Sequence, residues 1–317
     1  MSGFPRPARL AAAMLLALIS VQSARAQAPP LDEAVTEEAI AESTVRTSMS
    51  VTDRMLAPVT IGGAGPYQFI VDTAAERSVI ARELAQDLGL APAGRARLLS
   101  MTSSRDTATV NMPDVSFLAG QTRTLQPFTL NGRHLGASGI LGIDALRGQR
   151  VVLDFEAGEM RVGPAPRRFE RIDPDDIVVR GRLRYGQLVL IDSSADGAPV
   201  DVVVDSGLQV SIGNDALRRL LTARFNRFEQ IELLSITGER FSADYTRVDN
   251  LRIGGVAIIG MPVAFANTYF FSRMRLTRQP ALLLGMDALQ MFRRVAVDFP
   301  NRRAHFLLPE EALRTRN

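Results

Sequence analysis

Four short phrases occur twice in this chain, in the same order, and this repetition restricts the possible folds more than any other feature of the sequence. The pairs are FIVDTAAERSVI (69–80) with VVVDSGLQVSI (202–212), LLSMT (98–102) with LLSIT (233–237), GILGIDAL (139–146) with ALLLGMDAL (281–289), and RVVLDF (150–155) with RVAVDF (294–299). One such similarity arises by chance, but four collinear ones at similar spacing indicate a duplicated domain. The 317 residues are enough for two domains, each with its own core.

The segments around the repeats differ from them in composition. Residues 1–26 are typical of a secretory signal peptide, with a basic start, an apolar run and an Ala-Arg-Ala cleavage pattern; an uncleaved N-terminal anchor is the alternative. The other predicted divisions are a flexible acidic lead-in (27–44), an N-terminal domain (45–163), a charged, proline-containing linker (164–176), a C-terminal domain (177–308) and a tail (309–317). No later segment is apolar for about 18 residues, so we expect no membrane span after signal cleavage.

The residue composition excludes several kinds of chemistry. Cysteine is absent, which excludes thiolate sites. Histidine occurs only twice, which leaves few residues to form a multi-histidine metal site or a Ser-His-Asp triad. We therefore expect no metal and no cofactor. Three of the 37 basic residues lie in the predicted signal peptide, which leaves a nearly neutral mature chain beside 34 acidic residues. No clustered basic face is evident, so no nucleic-acid partner is expected.

Each repeat is predicted to be mainly β-structure. Short runs such as YQFIV, VDVVV and RVVLDF are rich in β-branched and aromatic residues and alternate with turn residues. Short helices are predicted over 81–90 and 214–225. A further short helix is expected after each hydrophobic-hydrophobic-glycine phrase, where Asp144 and Asp287 are interpreted as helix caps. The predicted fold class is all-β, with one or two short helices in each repeat.

An aspartate ends the most apolar strand of each repeat. Asp72 follows Phe-Ile-Val, and Asp205 follows Val-Val-Val. A carboxylate at the end of a buried strand is costly unless it is hydrogen-bonded or shares a proton. If the repeats pack about a pseudo-twofold axis, the two aspartates meet there, share one proton and titrate as a coupled pair. Such a pair can hold a water molecule, take its proton with one carboxylate and donate to a peptide carbonyl oxygen with the other.

These phrases together resemble the pattern of pepsin-like and retropepsin-like aspartic proteases. The resemblance covers both repeats and is greatest to bacterial exported retropepsin-like proteases that carry two tandem repeats in one chain. It implies two retropepsin-like acid-protease β-barrel domains related by a pseudo-dyad, and an aspartic endopeptidase with Asp72 and Asp205 as the catalytic pair. It also implies a peptide or protein substrate, a monomer with an intrachain pseudo-dimer, and a periplasmic or secreted location in a bacterium.

The resemblance also assigns residues that support the catalytic pair or contact the substrate. Thr73 and Ser206 are expected to hydrogen-bond across the dyad and hold the two aspartate loops together. The segments 100–108 and 235–243 correspond to flaps that close over an extended peptide, which would bind largely through main-chain hydrogen bonds, like an added strand. The flap residues expected to contact substrate are Met101, Thr102, Ile236 and Thr237.

Three glycines of the family pattern are present, and a fourth is replaced. Gly142 and Gly285 are expected at backbone crossings beneath the aspartate loops. Gly207 follows Asp-Ser in the second repeat, where glycine permits unusual backbone angles and a close approach of the other loop. Ala74 stands at this position in the first repeat. This difference raises one alternative, a weak or inactive scaffold that binds peptides or envelope proteins. Another alternative pairs each repeat with a second chain in a homodimer.

Overall fold

The computed structural model describes residues 43–50, 53–118, 121–146, 148–165, 175–222 and 228–314. The predicted signal peptide, the predicted lead-in up to residue 42 and most of the predicted linker lie outside the described residues. Within the described ranges, no helix combines the length and the apolarity that crossing a membrane requires.

The first lobe, which we define as the described residues up to 165, consists of short strands with a few short helices. Its elements are β1 (Ser43–Arg46), β2 (Ser48–Met49), β3 (Met55–Ile61), β4 (Ala64–Val71), β5 (Val79–Ala81), α1 (Arg82–Asp87), β6 (Pro92–Leu99), β7 (Ser104–Val110), β8 (Met112–Leu118), β9 (Gln121–Leu125), β10 (Phe128–Leu130), α2 (Gly132–Leu135), β11 (Gly139–Leu141), α3 (Ile143–Leu146), β12 (Gln149–Asp154) and β13 (Glu159–Pro164).

The second lobe, from residue 175 onwards, is built from similar pieces. Its elements are β14 (Ile177–Arg184), β15 (Gln187–Leu190), β16 (Ser193–Ala195), β17 (Ala198–Pro199), β18 (Asp201–Val204), β19 (Ile212–Gly213), α4 (Asp215–Thr222), β20 (Glu229–Leu234), β21 (Arg240–Ile253), β22 (Val256–Phe265), α5 (Tyr269–Arg273), β23 (Ala281–Leu284), α6 (Met286–Leu289), β24 (Arg294–Asp298), β25 (Arg303–Leu307) and α7 (Glu310–Arg314). The mainly β composition of both lobes confirms the predicted fold class.

Both lobes place the same strands around the strand that carries the aspartate. In the first lobe β4 pairs antiparallel with β3 and parallel with β11. In the second lobe β18 pairs antiparallel with β15 and parallel with β23. The parallel partner is in each case the strand of the hydrophobic-hydrophobic-glycine phrase. The sequence duplication is therefore also a duplication of strand topology.

One sheet is shared by the two lobes and contains the last pair of matched phrases. In it the strands lie in the order β1, β13, β12, β24, β25, β14. β12 pairs antiparallel with β24, and Val152 lies opposite Ala296, its counterpart in the matched phrases. Equivalent residues that face each other in this way place the pseudo-twofold axis between them. The lobes are thus joined by paired strands as well as by the chain.

Burial in the strands explains why the aspartates lie where they do. β3 alternates buried and partly exposed residues, so one of its faces covers the core. The last three residues of β4 are all buried, as is every residue of β23. This continuous burial is typical of strands that are covered on both faces. Asp72 therefore follows a strand end that is enclosed on both sides.

The helices agree with the predicted positions and include others that were not predicted. α1 and α4 lie within 81–90 and 214–225, and α3 and α6 follow the two glycines. Asn214 caps α4, since its side-chain oxygen accepts a hydrogen bond from the Leu217 amide at 2.9 Å. The short helices α2, α5 and α7 were not predicted, because four or five residues are too few to show a helical hydrophobic period.

Candidate active site

The two aspartate loops begin at equivalent points of the two lobes. The Asp72 amide donates to the Leu141 carbonyl at 3.0 Å, and the Asp205 amide donates to the Leu284 carbonyl at 2.9 Å. These bonds continue the parallel pairing of β4 with β11 and of β18 with β23 by one residue beyond the strands. Each aspartate therefore leaves its sheet with a fixed backbone position.

Crossed hydrogen bonds join the two loops. The Thr73 hydroxyl donates to the Val204 carbonyl of the second lobe at 2.8 Å, and the Ser206 hydroxyl donates to the Val71 carbonyl of the first lobe at 2.8 Å. The backbone amides complete the exchange: that of Thr73 donates to the Ser206 Oγ at 3.1 Å, and that of Ser206 donates to the Thr73 Oγ1 at 3.2 Å. Both side chains are buried. The structure thus brings Thr73 and Ser206 together in the way that the resemblance implies.

Backbone amides hold each carboxylate inside its own loop. Asp72 Oδ1 accepts hydrogen bonds from the amides of Ala74 and Ala75, both at 2.8 Å. Asp205 Oδ1 accepts one from the Gly207 amide at 3.0 Å. The other Asp72 oxygen lies against the opposite loop, because a Cβ atom on Gly207 would overlap it. The Asp72 carboxyl group therefore lies at the contact between the two loops.

Burial raises the pKa of both carboxyl groups. For Asp72 the rise is opposed by the amides of Ala74 and Ala75 and by the positive charge of Arg54. For Asp205 burial is again the largest cause, and the negative charge of Asp72 raises its pKa further, to well above the usual range. Burial is the largest cause of both shifts, and the charge of Asp72 acts on Asp205, as expected of neighbouring carboxyl groups whose titrations influence each other.

Ala74, the departure from the glycine pattern, is accommodated by the structure. It is buried, and it packs in a hydrophobic cluster with residues of the second lobe such as Val203 and Ile212. Its carbonyl accepts a hydrogen bond from the side-chain amide of Gln187. Neither Ala74 nor Gly207 has a backbone in the left-handed region. The expectation that glycine supplies unusual angles here is wrong, since Gly207 is needed for space alone.

Gly142 and Gly285 lie at close backbone crossings, as the resemblance implies. A Cβ atom on Gly142 would be 2.8 Å from the Ala75 carbonyl oxygen, and one on Gly285 would be 3.0 Å from the Val210 carbonyl carbon. The amide of Ile143, the residue after the first glycine, donates to that same Ala75 carbonyl at 2.8 Å. A side chain at either glycine would push the aspartate loop away from the strand beneath it.

Two serine–aspartate pairs stabilise these crossings, and sequence reasoning missed them. Asp144 accepts from the Ser78 hydroxyl at 2.7 Å, and Asp287 accepts from the Ser211 hydroxyl at 2.6 Å. The serine oxygens in turn accept from the amides of the two crossing glycines, at 3.0 and 2.9 Å. The interpretation of the two aspartates as helix caps is therefore corrected, because their side chains bond mainly to Ser78 and Ser211 in the aspartate loops. Each serine follows the candidate catalytic aspartate of its repeat at the same spacing in the sequence, and this could have identified the two pairs.

Comparison with known families gives a match to both lobes. A family model described as aspartyl protease matches residues 57–145 and 191–288, together more than half of the chain. Each match contains one aspartate loop and one glycine crossing. The chain belongs to the aspartyl protease family. The predicted relationship to two tandem retropepsin-like repeats is thereby confirmed. A search of curated proteins found no match.

In this aspartyl protease family member, two hairpins occupy the predicted flap positions. β6 and β7 form the first, with its turn at 100–103, and β20 and β21 form the second, with its turn at 235–239. Each tip packs on the opposite lobe: Met101 lies against the cluster of the second lobe, and Ile236 against a cluster of the first. The tips also contact each other, because the Thr102 hydroxyl donates to the Glu239 carboxylate.

A cavity lies beside each flap tip, and the two cavities carry different charges. The first, of about 330 Å³, is lined at its charged positions by Asp215, Arg218 and Asp244 and includes Met101 and Thr102. The second, of about 230 Å³, includes Ile236 and Thr237, and its charged or titratable residues are Arg82, Arg105 and His134. Among the described residues, no group of three or more metal-ligating side chains is arranged to hold a metal ion.

Proposed function

We propose that this aspartyl protease family member is an aspartic endopeptidase that hydrolyses peptide bonds with Asp72 and Asp205. The observation that carries the proposal is the set of crossed hydrogen bonds that Thr73 and Ser206 make between the two loops, because it joins the loops that carry Asp72 and Asp205. A pair that shares a proton supplies a base and an acid at once. It therefore serves amide hydrolysis, which needs both.

In the proposed reaction, an extended peptide binds beneath the flaps through main-chain hydrogen bonds, like an added strand. A water molecule held by the pair attacks the peptide carbonyl carbon while the ionised carboxylate takes its proton. The carboxylic acid protonates the carbonyl oxygen as negative charge develops there. The packing of Met101 and Ile236 on opposite lobes supports a role of the flaps in enclosing the peptide, because each tip spans the cleft.

The test is cleavage of a denatured protein or a peptide library, from acidic to neutral pH, by the wild type and by the Asp72→Asn and Asp205→Asn variants. Each substitution is expected to lower the cleavage rate by about 10²–10⁴-fold, the usual contribution of general acid–base catalysis. Asp114→Asn, at an exposed aspartate outside the two loops, is the matched control and is expected to cleave at the wild-type rate. Wild-type rates in both active-site variants would contradict the proposal.

The same experiment distinguishes an active endopeptidase from an inactive scaffold that binds peptides. The inactive scaffold predicts that peptides bind and stay intact at every pH, whereas turnover at any pH excludes it. The argument for it was Ala74, and the burial of that side chain without left-handed backbone removes its steric basis.

We infer further that the protein is exported and acts as a monomer. The basic start, apolar run and Ala-Arg-Ala pattern of residues 1–26 support export to the periplasm or beyond. N-terminal sequencing of the protein recovered from the producing bacterium is expected to begin at Gln27; a chain that still begins at residue 1 would contradict export by cleavage. Light scattering of the purified protein is expected to give the mass of one chain, and the mass of two would favour the homodimer.

A further inference from the structure

The strand beside β4 places an arginine next to the first aspartate. β3 and β4 are antiparallel, and Leu56 lies opposite Ile70. Continuing this register by two residues brings Arg54 opposite Asp72. Cross-strand neighbours in this relation have Cβ atoms about 5 Å apart, on the same face of the sheet. Arg54 is therefore the cross-strand neighbour of the first catalytic candidate.

The same register in the second lobe gives a different neighbour. β15 and β18 are antiparallel, and Val189 lies opposite Val203. Continuing that register by two residues places Gln187 opposite Asp205. Gln187 thus occupies the position that Arg54 occupies in the first lobe, and the two aspartates differ in the charge of the side chain beside them.

Arg54 is held in place and enclosed. It is 8% exposed, its Nη2 donates to the Leu135 carbonyl at 2.8 Å, and its amide donates to the Ser50 hydroxyl oxygen at 3.1 Å. Burial lowers the pKa of its guanidinium and the charge of Asp72 raises it, but an arginine in a protein stays protonated. A fixed cation in a poorly polarisable interior acts more strongly on its neighbour than the same cation in water.

Gln187 has no such effect on Asp205. It is buried and neutral, and its amide donates to the Ala74 carbonyl. The charge of Arg54 lowers the pKa of Asp72, and the charge of Asp72 raises the pKa of Asp205. Both influences favour an ionised Asp72 and a protonated Asp205.

We propose that Arg54 makes the two aspartates chemically unequal, so that Asp72 is the ionised base and Asp205 is the acid. This inference rests on the proposed endopeptidase function. Asp72 takes a proton from the attacking water as the water oxygen bonds to the peptide carbon, and Asp205 gives its proton to the carbonyl oxygen. In the second step Asp72 passes its proton to the leaving nitrogen, the carbon–nitrogen bond breaks, and Asp205 takes a proton from one hydroxyl of the intermediate. Both groups then return to their starting states.

The first test is the pH dependence of kcat/KM in Arg54→Gln, which places the same residue beside both aspartates. Loss of the cation is expected to move the acidic limb of the profile to higher pH by about one unit or more, because an adjacent cation lowers a carboxyl pKa by that amount. Arg54→Lys keeps the charge and is expected to restore the limb. An acidic limb that stays in place in a folded Arg54→Gln variant would overturn the proposal.

Gln187→Asn is the matched control for the mechanical part of these contacts. It shortens the equivalent side chain and weakens its bond to the Ala74 carbonyl without changing any charge. Its cleavage rate is expected to fall while the acidic limb stays where it is in the wild type. A limb displaced as far as in Arg54→Gln would assign the effect to loop geometry and contradict an electrostatic role.

The second test uses the wild type and needs no turnover. Carboxyl carbons of ¹³C-labelled aspartate are followed by NMR against pH, with Asp72→Asn and Asp205→Asn to assign the two signals. Asp72 is expected to ionise first, and Asp205 only at higher pH. Ionisation of Asp205 first, or of both together, would overturn the inference while leaving the proposed hydrolysis intact. If no peptide is ever cleaved, the proposed function fails and this titration still decides which carboxyl group is ionised.

Discussion

Gly207 and Ala74 occupy equivalent positions in the two aspartate loops, but they face different surroundings. The Cα of Gly207 lies against the Asp72 carboxylate, where a methyl group has no room. The methyl group of Ala74 lies in a buried apolar cluster with residues of the second lobe. The crossed hydrogen bonds that the two loops exchange are therefore equivalent, whereas the packing at these two positions is unequal.

Gly207→Ala is expected to abolish cleavage and to lower stability by about 1–3 kcal/mol, because overpacking forces the aspartate loops apart. Ala74→Gly removes one buried methyl group and adds backbone freedom, so we expect a loss of about 1–2 kcal/mol with cleavage retained. Urea unfolding and peptide cleavage measure the two effects. Equal changes in stability and in cleavage rate in the two variants would show that the difference in packing affects neither quantity.

The aspartates and their Thr73 and Ser206 partners could be predicted because they lie in repeated phrases. Arg54 and Gln187 could not, because they are different residues outside any matched phrase. Their positions beside the aspartates depend on strand register, which hydrophobic patterns alone did not reveal. Residues that are equivalent in space and unlike in sequence escape a search for repeats.

The crossings beneath the loops depend on two pairs in which a buried serine bonds to a partly buried aspartate. Burial raises the pKa of Asp287 to about 6, and the hydrogen bonds from Ser211 oppose this rise only in part. Its ordinary value is 3.8. A raised pKa means that the protonated carboxyl group is the form that the fold prefers. Its contribution to stability is therefore complete below pH 3.8 and is lost as the pH rises through about 6.

Asp287→Asn keeps a carbonyl oxygen for Ser211 and removes the ionisation. Between acidic and neutral pH the wild type is expected to lose about 3 kcal/mol of unfolding free energy relative to this variant. The measurement is urea unfolding at a series of pH values. Asp114→Asn, at an exposed position, is expected to follow the wild type. If the unfolding free energies of the wild type and Asp287→Asn change with pH in parallel, ionisation of this carboxyl group does not affect stability.

The flap hairpins were predictable from the repeated Leu-Leu-Ser-x-Thr phrase, but their mutual contact was not. The contact involves Glu239, which accepts from Thr102 and lies 4.0 Å from Arg105. The hydrogen bond from Thr102 is the main cause that lowers the pKa of Glu239, and the charge of Arg105 adds to it. A lowered pKa means that the ionised form makes the contact, which is present above the ordinary glutamate value and lost as the pH falls through the lowered one.

Glu239→Gln is expected to increase and broaden the distance between the flap tips. Because the natural chain has no cysteine, spin labels can be attached to cysteines introduced at Arg97 and Leu234, and the distance measured by pulsed EPR. Glu232→Gln is the control, since its carboxylate pairs with Arg240 inside the second flap. An unchanged distance distribution in Glu239→Gln would rule out a role of this contact in holding the tips together.

At the scale of the whole molecule, the shared sheet encloses a charged cluster. Asp176 lies 3.4 Å from Arg294 of β24 and 3.6 Å from His305 of β25, and all three side chains are largely buried. Burial raises the pKa of Asp176, but the His305 ring and the Arg294 charge lower it more, so its net pKa lies below the ordinary value. Its contribution to stability is present above that ordinary value and is lost as the pH falls through the lowered one.

Asp176→Asn is expected to lower the free energy of unfolding by about 3 kcal/mol, because it removes the negative charge that faces the largely buried Arg294. Asp106→Asn breaks the exposed pair with Arg97 and is expected to cost less than about 1 kcal/mol. Urea unfolding at neutral pH compares the two. Similar small losses in both variants would show that the shared sheet does not depend on the cluster.

The joining of both repeats in one chain has a genetic consequence. A single nucleotide change alters one side of the axis between Val152 and Ala296 and leaves the other side as it was. In an assembly of two identical chains, every change would appear on both sides. The two halves of this molecule were therefore free to diverge, as their unlike aspartate neighbours and differently charged flap cavities show. We expect a peptide in such a cleft to have one favoured direction, because its amino and carboxyl ends meet different surfaces.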